Sequence, residues 1–249
     1  MKIAVCVKEI YNLEQVKIVK ETREPILDVP KKLDDLSRNA LEEAIRIKER
    51  LGGEIVAVSA GSADLKKTIK EALAMGADRA IIVTDLLEST PENSALVLSK
   101  ILEREGFDLI LLGDASSDDY SGQLASRIAE ILNLPQITFV SEIKEISEEK
   151  VVCLRDMDDY LETAESELPC AVSVTNEINE PRIPALKDIL KASKKPVESL
   201  TLNDLGADLA SPYEIIENLA PEIDRRQEVI EGEIVEVAKR LAEIIRREA

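Results

Sequence analysis

Four short, unbroken apolar runs punctuate the first half of the chain, at residues 3–7 (IAVCV), 55–59 (IVAVS), 80–84 (AIIVT) and 109–112 (LILL). A run without alternation is what a strand needs when both of its faces are covered, so these predict the central strands of a parallel sheet. Between them the apolar positions change to helical spacing. Ala40, Leu41, Ala44, Ile45 and Ile47 form a stripe, with Glu42, Glu43, Lys48, Glu49 and Arg50 turned outward and Gly52-Gly53 closing the helix. Leu65, Ile69, Leu73 and Ala74, closed by Gly76, predict the next helix, and residues 94–102 and 124–132 predict two more. Strand and helix in alternation specify an α/β fold, a doubly wound, mainly parallel Rossmann-like sheet with right-handed crossovers. Such a sheet binds ligands beyond the carboxyl ends of its strands, here at Lys8 onward, residues 59–62, Asp85 and residues 113–119.

After Pro135 the pattern changes. Residues 137–146, 150–154 and 170–175 read as short strands of a more antiparallel region. Residues 196–230, with Pro196, Pro212 and Pro221, lack strong periodicity and predict an extended arm. Ile234, Val235, Val237, Ala238, Leu241, Ile244 and Ile245 then form an amphipathic stripe over residues 231–247. The expected organisation is an α/β domain over residues 1–195 and a C-terminal arm and helix over 196–249. That helix either docks on a second chain or packs on its own domain.

Composition narrows the function classes. A chain of 249 residues that is 45% hydrophobic can bury a sizeable core. Its net charge of −18 opposes nucleic acid and anionic membrane, leaving proteins and small molecules as partners. No run approaches the roughly 18 apolar residues of a membrane span, and the start MKIAVCVKEI is too short in apolar residues for a secretory signal, so a cytoplasmic protein is expected. Cys6, Cys153 and Cys170 have no metal-ligand spacing and read as buried core residues in a reducing compartment. The chain contains no histidine, which removes Ser-His-Asp and Cys-His catalysis, HExxH zinc sites and the usual base near neutral pH. Only carboxylates or lysines remain for acid-base work; no catalytic residue and no metal ligand is assigned.

The richest candidate site is the segment 111–136, LLGDASSDDYSGQLASRIAEILNLPQ. Gly113, Ala115, Ser116 and Ser117 are small enough to expose backbone N–H groups at a strand end, and a helix start near residues 121–123 offers partial positive charge to a phosphate. Asp118 and Asp119 either accept from a ribose or adenine group or cap that helix. Neither GxGxxG nor GxxxxGK[ST] occurs, so a nucleotide would need a looser loop geometry. Residues 59–62 (SAGS) make a second small-residue turn at the same edge, which an ordinary strand-to-helix turn explains equally. Asp34-Asp35-Leu36-Ser37 reads as a helix cap. Residues 181–196, PRIPALKDILKASKKP, carry one Arg and four Lys against one Asp in an otherwise acidic chain. They form either an exposed basic helix without a partner or a docking element.

Several of these stretches together resemble the β subunit of electron-transfer flavoprotein: VCVKEI at 5–10, NALEEAIRIKE at 39–49, EALAMGADRAIIV at 71–83, LLGDASSDDYSGQ, LPQITFVSEI at 134–143, LRDMDDYLET at 154–163, LPCAVSVTNEINEPRIPALKDILKASKKP at 168–196 and DLGADL at 204–209. The likeness runs in register from residue 1 to about residue 209. It implies an adenine-nucleotide α-hydrolase-like version of the sheet, a heterodimer with an α subunit that carries redox-active FAD, and a structural AMP in this subunit. Carried onto this chain, the AMP contacts fall at Cys6, at Asp34, Asp35, Leu36 and Ser37, at Ala60, and at Gly113, Asp114, Ala115, Ser116, Ser117, Asp118, Asp119, Tyr120, Ser121, Gly122, Gln123 and Leu124.

The resemblance further implies that residues 179–196 anchor acyl-CoA or other flavin dehydrogenases. Leu186 would enter an apolar pocket of the partner, flanked by Arg182, Ile189 and Lys191, while the charges of Arg182, Lys187, Lys191, Lys194 and Lys195 steer the encounter. Arg155 and Glu162 match charged positions near the α-subunit flavin, and a quinone oxidoreductase is among the acceptors the family allows. The chain departs from the family where Asp34-Asp35-Leu36 replaces Asn-Pro-aromatic, where Asp159-Tyr160 replaces two glycines, and where Gln123-Leu124-Ala125 replaces a Gln-Thr/Val-Gly run. Relatives that bind a second FAD in this subunit and bifurcate electrons from NADH form the alternative reading. A stand-alone nucleotide-binding domain of the stress-protein type is a more distant one.

Overall fold

The four apolar runs become the centre of a nine-stranded sheet. The computed structural model describes residues 1–87, 90–209, 215–222 and 228–248. Its elements are β1 (Lys2–Cys6), β2 (Glu9–Tyr11), β3 (Lys17–Ile18), β4 (Pro25–Ile26), β5 (Lys31–Leu33), α1 (Asp35–Leu51), β6 (Glu54–Ala60), α2 (Leu65–Met75), β7 (Arg79–Val83), α3 (Pro91–Glu105), β8 (Leu109–Gly113), α4 (Leu124–Leu132), β9 (Gln136–Ile146), β10 (Lys150–Asp156), β11 (Leu161–Glu167), β12 (Cys170–Val174), α5 (Leu186–Ala192), β13 (Val197–Leu200) and α6 (Ile234–Glu248). The sheet runs β11-β10-β9-β12-β8-β1-β6-β7-β13. Every neighbouring pair from β9 to β13 is parallel, and only the β9-β10-β11 wing is antiparallel.

Strand β1 shows why an unbroken apolar run is required. Ile3, Val5 and Val7 belong to one core cluster with Leu41 and Ile45 of α1 and Leu65, Ile69 and Leu73 of α2. Ala4 and Cys6 point the other way, into a cluster with Leu98 and Ile101 of α3 and Ile128 of α4. A polar residue at any of these positions would face a dry layer. Fully burying each large aliphatic side chain contributes roughly 1.5–3 kcal/mol.

The structure extends or re-assigns several elements of the sequence reading. The helix expected from residue 94 begins at Pro91, because Thr90 caps it by accepting from Asn93 N at 3.2 Å. Residues 170–174 are not part of the antiparallel region: β12 is parallel to both β8 and β9 and buried along its whole length. Val197–Leu200, inside the stretch expected to be an arm, pairs with β7 as the edge of the sheet. Contacts divide the chain into two units, residues 1–17 with 26–216, and residues 18–25 with 217–249. The first holds the sheet, α1 to α5 and the site described below. In the second, Ala220 N donates to Arg23 O at 2.9 Å and α6 has exposed Ile234, Val235, Leu241 and Ile245 along one stripe. Pro212, with the rest of residues 210–214 and 223–227 of the expected arm, lies outside the described residues.

One carboxylate ties three elements together at the carboxyl edge. Asp34 is fully buried and caps α1, its Oδ2 accepting from Ser37 N at 3.0 Å and Ser37 Oγ at 3.4 Å. Its backbone N donates to Lys8 O just past β1. Its Oδ1 accepts from Ser117 N and Ser117 Oγ, both at 2.8 Å, which pins the loop after β8. Close packing does the rest: a Cβ on Gly113 would lie 2.7 Å from Leu36 Cβ and 2.9 Å from Ala115 O.

Asp34→Ala is therefore expected to lower unfolding stability by about 2–3 kcal/mol, since it removes a cap and strands buried donors. Gly113→Ala is expected to cost about 1–3 kcal/mol through overpacking. Urea denaturation with an unchanged m-value checks both, and a loss below about 0.5 kcal/mol for Asp34→Ala would contradict the tie.

Candidate functional site

The sheet order places the site. From β1 the chain builds outward through β6 and β7, then returns to the other side of β1 as β8. This reversal is the topological switch point, where loops leaving β1 and β8 diverge and open a crevice. A cleft occupies that point, with about 670 Å³ of empty space that includes its open mouth. Its walls come from Cys6 at the end of β1 and Lys8 just past it, Ser37 at the start of α1, Pro91, Ser94 and Leu98 of α3, Leu112 of β8, and the loop running into α4.

Of the residues predicted for the site, Cys6, Ser37, Gly113, Asp114, Ala115, Ser116, Asp119, Ser121, Gly122, Gln123 and Leu124 line this cleft. Asp34, Asp35, Leu36, Ala60, Ser117, Asp118 and Tyr120 do not. Asp34 and Ser117 form the tie beneath the loop, and Asp35 pairs with Lys32 at 2.9 Å. The two carboxylates thus have partners of their own. Leu36 is buried, Ala60 ends β6 against the α3 side of the core, and Tyr120 is exposed in the left-handed region at φ 49°. Gly122, at φ 64°, completes the turn where glycine is favoured.

Three features bear on what the cleft can hold. First, Gln123 at the N-cap of α4 makes no side-chain bond to the first turn, so the first-turn N–H groups have no side-chain cap. Its Oε1 instead accepts from Arg127 Nε at 3.0 Å. Second, Asp114 Oδ1 is buried with no hydrogen-bond partner, an acceptor left open beside small residues. Burial raises the Asp114 carboxyl above its usual range. Third, Cys6 presents a protonated thiol, pushed up to about 12 by burial, and with Leu98 and Leu112 makes an apolar wall. Uncapped amides, an open acceptor and an apolar wall fit the phosphate, polar edge and face of an adenylate.

Lys8 was marked in the sequence only as the start of a strand-end loop and was not among the predicted contacts. Its Nζ donates to Ser116 Oγ at 3.0 Å, Asp118 Oδ1 at 2.7 Å and Asp119 Oδ2 at 3.0 Å. Burial alone would depress the Lys8 ammonium, but the two carboxylates outweigh it and the net shift is upward. Burial likewise pushes Asp119 up, and Lys8 reverses this to a net lowering. The available signal was positional, a lysine two residues past a central strand. Pro91, Ser94 and Leu98 were also missed, because no local motif marks the wall of a neighbouring helix.

The basic segment has a divided role. Arg182 is not free at the rim: its guanidinium donates to Glu42 Oε2 at 2.8 Å and Glu49 Oε1 at 2.7 Å, both on α1. Burial opposes ionisation of Glu42, yet Arg182 holds its carboxyl below the usual range. Lys195 Nζ donates to Leu73 O and Ala77 O at the end of α2. Lys187, Lys191 and Lys194 make no ion pair among the described residues. Beside them stand Ile183 at 93%, Leu186 at 73% and Leu190 at 66% exposure, with Ile189 half exposed. Far from the cleft lining, Arg155 and Glu162 face each other across β10 and β11 and form an ion pair, with Arg155 Nε also donating to Thr138 O at 2.7 Å.

Comparison with known proteins agrees with this architecture. Residues 27–205 match the electron transfer flavoprotein domain. The chain is 34% identical over 253 aligned residues to the electron transfer flavoprotein subunit beta of Thermoanaerobacterium thermosaccharolyticum, covering 98% of this chain and 97% of that protein. It is 39% identical over 216 residues to the subunit of the same name from Bacillus subtilis, covering 84% of each. A family match over most of the chain, with near full-length likeness to two such subunits, has one meaning: the chain belongs to the electron transfer flavoprotein family, as a beta subunit.

Proposed function

We propose that this chain is the non-catalytic half of a heterodimeric electron carrier. It binds AMP in the cleft between β1 and β8, helps hold the FAD of an α subunit, and relays electrons from flavin dehydrogenases to a downstream acceptor. The observation that carries this reading is the cleft itself, a small-residue loop with uncapped helix amides at the switch point of a family member's sheet. The phosphate would lie at the start of α4, and Asp114 would accept from the ligand's polar edge. When bound, FAD supplies the redox chemistry; this chain's residues bind, orient and dock.

Two surfaces support the partner assignments. The stripe of Ile234, Val235, Leu241 and Ile245 on α6 is exposed, as a helix docking on an α subunit requires. The apolar tip of Ile183, Leu186 and Leu190, flanked by lysines without an ion pair among the described residues, suits transient docking of an acidic dehydrogenase, with a greasy centre and a charged rim. Arg155 and Glu162 would then lie toward the flavin as a paired, orienting couple.

The purified heterodimer is expected to release one FAD and one AMP on denaturation, read by chromatography of the extract. Two FAD and no AMP would replace this reading with the electron-bifurcating one. Leu186→Ala is expected to slow reduction by the partner dehydrogenase by about tenfold with flavin content unchanged. Raising salt is expected to slow the wild-type reaction, because the Debye length is already only ~10 Å near 0.1 M. Unchanged rates in stopped-flow measurements would remove the docking role.

A further inference from the structure

Lys8 is the only cation among the described residues lining the cleft, whereas Asp114 and Asp119 also line it. Asp118 stands beside them and Asp34 lies beneath the loop. In a chain of net charge −18, that grouping would by itself repel any anion. The ammonium meets both loop carboxylates at once, at 2.7 Å and 3.0 Å. Lys8 N donates to Ser37 Oγ at 3.1 Å and Lys8 O accepts from Asp34 N at 3.0 Å, so the backbone that carries the side chain is fastened to the start of α1. Ser116 Oγ, accepting from the ammonium at 3.0 Å, holds it at the loop.

From this geometry we infer that Lys8 tunes the charge selectivity of the cleft: its single positive charge offsets one of the two negative charges of Asp118 and Asp119 and so lowers the repulsion that an anionic adenine nucleotide, but not the uncharged nucleoside, would meet. The inference rests on the adenylate reading given above. It assigns a role to a residue outside the set that the family resemblance supplies. Lys8 acts on the ligand through the loop carboxylates, so it is a positioning residue. Its signature is a dependence on ligand charge, which a merely structural role would not produce.

The test compares AMP and adenosine by isothermal titration calorimetry on the full-length chain, purified free of nucleotide. K8Q is expected to weaken AMP binding by about tenfold or more while changing adenosine binding by less than about threefold, because only AMP feels the uncovered carboxylates. The K8Q/D118N/D119N variant is expected to restore the wild-type ratio of AMP to adenosine affinity. D118N/D119N, which keeps Lys8 and removes the two anions, is expected to raise that ratio above the wild-type value, whatever the change in each affinity; it decides the matter even if K8Q fails to fold. Equal losses for AMP and adenosine in K8Q, or a ratio in D118N/D119N no higher than that of the wild type, would overturn the inference while leaving the adenylate reading intact. Failure of the wild-type chain to bind AMP would instead overturn the adenylate reading, and the selectivity claim with it.

Discussion

The buried carboxylate of Asp34 is the constraint on which the rest of the site depends. A charge removed from water is costly unless it is fully hydrogen-bonded, and here four donors from Ser37 and Ser117 meet it at the positive end of α1. Those bonds fix the end of β1, the start of α1 and the loop after β8 relative to one another. The switch-point crevice is thereby a defined cleft. Where the family resemblance expects Asn-Pro-aromatic, the added carboxylates Asp34 and Asp35 do not line the cleft. Asp34 is spent on the cap and loop, and Asp35 on Lys32. The acidity that bears on the cleft comes from Asp114, Asp118 and Asp119, which is why Lys8 matters.

The basic segment shows how a charge run divides between holding and presenting. Arg182 sits over Glu42, whose side chain is only 4% exposed, and Lys195 covers carbonyls at the end of α2. These two cations fasten the segment at its ends. With Ala192 buried, α5 is seated on α2, and Ile183, Leu186 and Leu190 are left facing solvent. On the proposed docking reading, long-range steering would fall to Lys187, Lys191 and Lys194, a smaller set than the sequence suggests. An apolar tip on an anchored base would lose little conformational freedom on docking, which would favour a fast and reversible encounter.

The parts of the fold that bury both faces of an element were legible in the sequence. The run 109–112 and the stripe of residues 124–132 carry a period strong enough to locate β8 and α4 directly. Elements that bury little were not. β13 (VESL) is mostly exposed and pairs on one side only, and β11 (LETAESE) is polar apart from Leu161 and Ala164, so neither stands out from loop in composition. Direction also escaped: the run CAVSV looks the same in either sense, and only its burial between β8 and β9 makes it parallel. In the site, the small-residue loop was legible because strand-end chemistry is local. The role of Lys8, marked only as a strand-end residue, and the α3 wall were not, because they exist only once β8 lies beside β1 and α3 packs across them.

These observations place a cleft lined by small residues at the point between β1 and β8 where the strand order reverses. Heteronuclear NMR of the isotope-labelled chain, titrated with AMP, tests that claim most directly. The account predicts saturable shifts at the backbone amides of Ser116, Ser121, Gly122, Gln123 and Leu124, with Ile183, Leu186 and Leu190 unmoved. Shifts confined to other surfaces, or none at saturating AMP, would contradict it.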